Sequence, residues 1–150
     1  MAALKDTLKT DLTASMKARD ELRTATLRMV LTAIGMEEVA GKAARALSEE
    51  EELKVLGREA KKRREAAEAF RSGGAEDRAQ RELDEEKILT TYLPAQLSDE
   101  QLQALVAVAV RDSDATGPQA MGAVMKVVSP QVAGRADGGR VAAAVRAALA

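Results

Sequence analysis

Apolar and polar positions alternate along this chain with a helical period almost throughout. Leu4, Leu8, Leu12 and Met16 recur at every fourth position with charged residues between them, which is one stripe of an amphipathic helix. Asp20 is placed to cap a second helix bearing Leu22, Ala25, Met29, Ala33 and Met36, with Leu27, Val30, Leu31 and Ile34 widening the stripe, and Gly41 is a plausible stop. Ser48 and Glu51 have the spacing of a capping box. They open a third helix through Leu53, Leu56, Ala60, Ala67 and Phe70 that closes near Ser72-Gly73-Gly74. A fourth is predicted from about Ala75 to Tyr92, with Ala79, Leu83 and Ile88 inward.

At Leu93-Pro94 the regime changes, because a proline biases the residue before it away from helical dihedrals. Ser98 and Gln101 repeat the capping-box spacing and start a helix to about Arg111. Thr116-Gly117-Pro118 opens a sixth helix, with proline in its first turn, and Ser129-Pro130 closes or kinks it. Gly134 to Gly139 reads as a turn, with Asp137 capping a last helix that carries Val141, Val145 and Leu149.

Charge density shifts at the same junction. Residues 1–93 hold 18 basic and 19 acidic side chains, whereas residues 94–150 hold five of each. The expectation is an all-α protein with a charged four-helix subdomain over 1–93 and a smaller three-helix subdomain over 94–150. Composition agrees: 31 of the 150 residues are alanine, and Leu, Glu, Lys and Arg, also strong helix formers, supply much of the rest. No apolar run approaches the roughly 18 residues of a spanning helix. The first residues lack the charged-then-apolar pattern of a secretory leader, so a cytoplasmic protein is expected.

The chain contains no His and no Cys. That removes the commonest general base near neutral pH, the thiolate nucleophile and the usual zinc or iron–sulfur ligands. Neither a metal nor a cofactor is expected. The serines read as caps, and no carboxylate pair has a neighbour suited to acid–base work. A serine–lysine arrangement remains formally open, since a desolvated lysine can serve as base, but no serine is placed for it.

Two basic segments are candidates for phosphate contact. Lys61-Lys62-Arg63-Arg64 is the densest run. Four successive helical residues sweep around the axis, however, and Glu59–Arg63, Lys61–Glu65 and Arg64–Glu68 are spaced to neutralise one another. An ion-paired helix is therefore the favoured reading. The runs Glu49 to Glu52 and Asp84-Glu85-Glu86 are read likewise, the former complementing a helix dipole. The second segment spans Met121 to Arg146, where Lys126, Arg135, Arg140 and Arg146 face the single acid Asp137. Its glycine turn and the N-terminus of the last helix form a possible phosphate cradle, though Asp137 would occupy some of those donors. The methionines at 16, 29, 36, 121 and 125 are read as core filler in preference to an adaptable groove.

Several strings together resemble the GatB/YqeY family, and within it the stand-alone YqeY-like proteins. They are Arg28-Met29 with Ala33-Ile34, Lys61-Lys62-Arg63-Arg64-Glu65-Ala66, Tyr92-Leu93-Pro94-Ala95-Gln96-Leu97-Ser98, Met121-Gly122-Ala123-Val124-Met125 and Gly134-Arg135-Ala136-Asp137-Gly138. The resemblance covers essentially the whole chain. It implies an all-helical two-part fold similar to the tail of the B subunit of the tRNA-dependent amidotransferase, a part associated with holding tRNA. The family term of carbon–nitrogen ligase with glutamine as amido donor would be inherited from that larger enzyme, whose catalytic portions this chain lacks. On the matching motifs, the resemblance makes Lys126, Arg135 and Arg140 the best candidates for phosphate contact.

The leading expectation is a non-catalytic module that binds tRNA or structured RNA by shape and phosphate contact. One Phe and one Tyr leave no stacking platform for reading bases, and a net charge of −1 argues against tight non-specific binding. The alternative is a protein-interaction module whose C-terminal part docks on a protein of tRNA aminoacylation or amidation.

Overall fold

In a computed structural model describing residues 3–150, the periodicity resolves into seven α-helices with no strand among the described residues. They are α1 (Leu4–Lys17), α2 (Glu21–Glu38), α3 (Glu49–Ser72), α4 (Glu76–Thr90), α5 (Asp99–Asp112), α6 (Met121–Val132) and α7 (Gly138–Leu149). The chain divides into two units, Met1–Pro94 and Ala95–Ala150, holding four and three of these helices. No helix among the described residues is long and apolar enough to cross a membrane.

Every predicted cap forms. Asp20 accepts from the Arg23 N–H, and Asp137 from that of Arg140, both at 3.0 Å. Ser48–Glu51 and Ser98–Gln101 make reciprocal capping boxes, each satisfying donors that a helix start would otherwise leave unpaired.

In the first unit two helical hairpins, α1–α2 and α3–α4, enclose Leu8, Leu27, Val30, Ile34, Val55, Leu56 and Leu89. Tyr92 closes the unit. Its hydroxyl donates to Asp11 Oδ2 at 2.5 Å and accepts from Arg23 Nη2 at 2.8 Å.

The inward face of α2 departs from expectation. Thr26, Leu27, Val30 and Ile34 are the buried side chains, whereas Met29 and Met36 are 43% and 67% exposed, and Met16 on α1 is 42% exposed. These three methionines are not core filler. The branched Leu, Val and Ile bury on the neighbouring arc and leave the Met29–Met36 arc outside. Met121 and Met125 do pack against the core of their unit.

In the second unit the core repeats at every fourth position on α6 and α7: Val124, Val128 and Val132, then Val141, Val145 and Leu149, against Leu102, Val106 and Ala109 of α5. Full burial of each Val or Leu stabilises by about 1.5–3 kcal/mol, so this small unit rests on few side chains. Gly117, with φ at +77°, redirects the chain into a 3₁₀ turn, Pro118–Ala120, and α6 begins only after it. Pro130 neither ends nor displaces α6, which runs on to Val132. In the last turn, the missing N–H removes one helical hydrogen bond, that to the Lys126 carbonyl.

Candidate nucleic-acid interface

The turn between α6 and α7 is built by local chemistry. The Arg135 and Ala136 N–H groups both donate to the Val132 carbonyl, at 2.8 and 3.2 Å. Gly134 takes φ +73°, which is costly for side-chain-bearing residues. Asp137 then caps α7.

This turn is stitched to the start of the unit. The Leu97 N–H donates to the Arg135 carbonyl at 2.8 Å, and Gln96 Nε2 donates to the Gly134 carbonyl at 2.7 Å. From the other side, Arg140 Nη2 donates to the Leu97 carbonyl at 3.0 Å and to Asp99 Oδ1 at 2.7 Å. Arg140 is therefore a clamp holding residues 97–99 against α7, with its charge answered by Asp99.

The other basic side chains of this region differ. Lys126 and Arg146 are exposed and Arg135 is half-buried, and none of the three has an ion pair among the described residues. Lys126 lies on α6, Arg135 in the turn and Arg146 on α7. Asp137, whose side chain accepts the Arg140 N–H, is the acid nearest to Arg135 in sequence.

The run Lys61 to Arg64 in the first unit is arranged otherwise. Arg63 is buried: Nη1 donates to Glu59 Oε2 at 2.9 Å, and Nε stands 3.4 Å from Glu85 Oε2 on α4. Lys62 pairs with Glu59 at 3.1 Å, Lys61 lies 3.9 Å from Glu65, and Arg64 reaches Glu86 on α4 at 3.3 Å and not the Glu68 that spacing suggested. The run thus joins α3 to α4, with Arg63 turned into the fold. Burial and the neighbouring Glu85 push the Glu82 carboxyl above its ordinary range.

The acidic run at the start of α3 is also consumed locally. Glu51 bridges Arg45, with contacts of 2.6 and 2.9 Å, and the Ser48 N–H, which together hold its carboxyl at about 2. Glu52 is buried and accepts the Lys5 N–H at 3.1 Å, and burial raises its carboxyl. Glu50 pairs with Lys54 at 2.8 Å.

Sequence reading found the Glu59–Arg63 pair and missed the partners of Arg140 and the second partner of Arg63, Glu85. The clamp joins positions 41 and 43 residues apart, and the Arg63–Glu85 contact crosses between helices. Only the capping and i,i+4 contacts leave a local signal.

The family model described as Yqey-like protein matches residues 5–149. No curated protein matches the chain.

Proposed function

Because the chain belongs to the Yqey-like protein family, we propose that it is a non-catalytic helical module whose second unit binds tRNA or structured RNA through phosphate and shape contacts. The observation that carries this reading is the contrast in charge pairing. Lys126, Arg135 and Arg146 stand without ion pairs among the described residues, while Lys61 to Arg64 face carboxylates of their own unit. Phosphate contact needs cations that are not already neutralised, since affinity comes from counterions released as phosphates are paired. Arg140 serves by holding the turn that presents Arg135. The resemblance of the Met121–Met125 and Gly134–Gly138 strings to the amidotransferase tail points the same way.

Three phosphate contacts give modest, salt-sensitive binding, with log affinity falling at a slope of about −2 to −3 against log salt. Filter-binding titration of total tRNA at low and moderate salt tests the reading. Retention that falls with salt and is lost when Lys126, Arg135 and Arg146 are all changed to Gln is expected. Absence of retention at low salt refutes it.

One observation favours docking on a protein of tRNA aminoacylation or amidation instead. Leu102, Ala143, Ala144, Ala147 and Ala148, with Asp99, Gln103 and Arg140 among them, line a groove of about 470 Å³ between α5 and α7, and small side chains of this kind let a partner helix approach. Changing Ala143 and Ala147 to Glu blocks that groove. Unchanged tRNA retention in this variant supports the RNA reading.

A further inference from the structure

Among the described residues, six large apolar side chains are substantially exposed: Met16, Met29, Met36, Val39, Val108 and Val127. Four of them belong to one strip of the first unit. Met29 and Met36 are seven residues apart on α2, which places them within about 20° of each other around the axis and about 10 Å apart along it. Val39 follows at the helix end. Met16 on α1 borders it across Arg28, whose Nη2 reaches the Met16 Sδ at 3.2 Å. Beneath, Arg63 Nη2 reaches Met29 Sδ at 3.5 Å. The helix is thus apolar over two arcs, of which the fold covers one.

The charges around the strip are unbalanced. Arg28 touches only a thioether, and Lys17, Arg19 and Lys42 flank the two ends, all four without an ion pair among the described residues. The carboxylates at the far end of α2 are already answered, Glu37 by Arg58 at 3.2 Å and Glu38 by Lys5 at 2.7 Å. Glu21 and the capping Asp20 are the acids at the near end. The surviving rim is positive around a thioether-rich centre, and methionine and arginine are enriched where proteins meet.

We propose that the Met16–Met29–Met36–Val39 strip is a docking surface for an acidic amphipathic helix of another protein, its apolar side on the methionines and its carboxylates on Arg28 and the flanking lysines. Thioethers adapt to varied apolar side chains, whereas the basic rim selects the sign of charge. A second copy of this chain is disfavoured as occupant, because it would bring two positive rims together. Nucleic acid is disfavoured too, since the strip offers it no stacking ring and its thioether surface offers nothing to phosphates.

The test uses the full chain with carbon-13 in the methionine methyl groups. The probe is a synthetic amphipathic helix of about 14 residues, enough to span the strip at 1.5 Å per residue, with Leu on one side and Glu on the other. A twin peptide carries Lys in place of Glu. Saturable shifts of the Met16, Met29 and Met36 methyls by the acidic peptide are expected, with Met121 and Met125 unmoved and the basic peptide inactive. Met29→Gln combined with Met36→Gln, which removes the thioethers without changing charge, weakens binding at least about tenfold, the usual scale for losing central interface anchors. Arg28→Glu, which disturbs no core residue, weakens it as well. Equal response to both peptides, no saturable shift, or concentration-dependent shifts of these methyls without peptide each overturn the proposal.

Discussion

Replacing Arg63 by Met removes one charge from the inside of the α3–α4 hairpin and leaves two carboxylates behind. The Arg63 side chain is 8% exposed, and Glu59 and Glu85 beside it are 11% and 7% exposed. Removing one partner of a buried ion pair costs about 3–5 kcal/mol, mostly because the remaining charge is buried without compensation. Here each acid keeps a second cation, Lys62 at 3.1 Å and Arg81 at 3.3 Å. Those two reach out to solvent, where an ion pair is worth at most about 1 kcal/mol. The expected loss is therefore about 2–4 kcal/mol, a large part of the 5–15 kcal/mol that holds a typical domain. Tyr92 is the only tyrosine, there is no tryptophan, and it closes the first unit. Its fluorescence during urea denaturation thus follows the unit that carries the change. At about 2 kcal/mol per molar urea the midpoint falls by about 1–2 M. Adding Glu59→Gln and Glu85→Gln to Arg63→Met should return most of the loss, since it deletes the stranded charges. An unchanged midpoint, or no recovery on neutralising both acids, would refute the claim that this network sustains the hairpin.

The remaining predictions concern titration and capping. Burial, with the Asp11 hydrogen bond and charge adding to it, raises the Tyr92 phenol to about 12; stability from that shift is complete below pH 10 and lost as pH climbs from about 10 through 12. Ultraviolet titration of the single tyrosine should give that midpoint in the folded chain, a value near 10 in denaturant, and a lowered one in Asp11→Asn. Glu51, held at about 2 chiefly by its hydrogen bond from Arg45, contributes stability above pH 4.5 that disappears as pH falls toward 2; Arg45→Gln should raise its midpoint in a carboxyl carbon-13 titration. Asp137→Ala should cost about 1 kcal/mol through loss of the α7 cap, with faster amide exchange confined to the first turn of that helix.

What the sequence made legible follows the range of each interaction. Asp20, Ser48, Ser98 and Asp137 announce helix starts because cap and receiver are three residues apart. The apolar row of α7, Val141, Val145 and Leu149, shows as clearly, since the rest of that helix is small or polar, whereas Met125 and the exposed Val127 blur the row of α6. On α2 apolar residues cover so much of the circumference that periodicity does not say which arc faces inward, and contacts with α1, α3 and α4 decide it. Pro130 marks a helix end in general, yet α6 absorbs it at the loss of one hydrogen bond. Among the basic residues, the pairs Glu59–Arg63 and Lys61–Glu65 were local and readable. The Arg63–Glu85 and Arg64–Glu86 contacts depend on α4, and the pairing of Arg140 depends on the segment that opens its unit. Of the basic run, the sequence therefore exposed the pairs made within α3 and not those that cross to α4.

The bond from Tyr92 to Asp11 joins residues 81 positions apart, almost the full span of the first unit. During synthesis that latch waits for its last member. At about 5–20 residues per second, roughly 4–16 s separate the appearance of the two side chains. Through that interval the early helices must persist on their hairpin contacts alone. A nascent chain halted before Tyr92 leaves Asp11 and Arg23 without the hydroxyl that bridges them, and the latch closes only once Tyr92 has cleared the ribosome. The tyrosine thus acts as a completion mark for the first unit, among the last of its residues to arrive and the one that ties its end to its beginning.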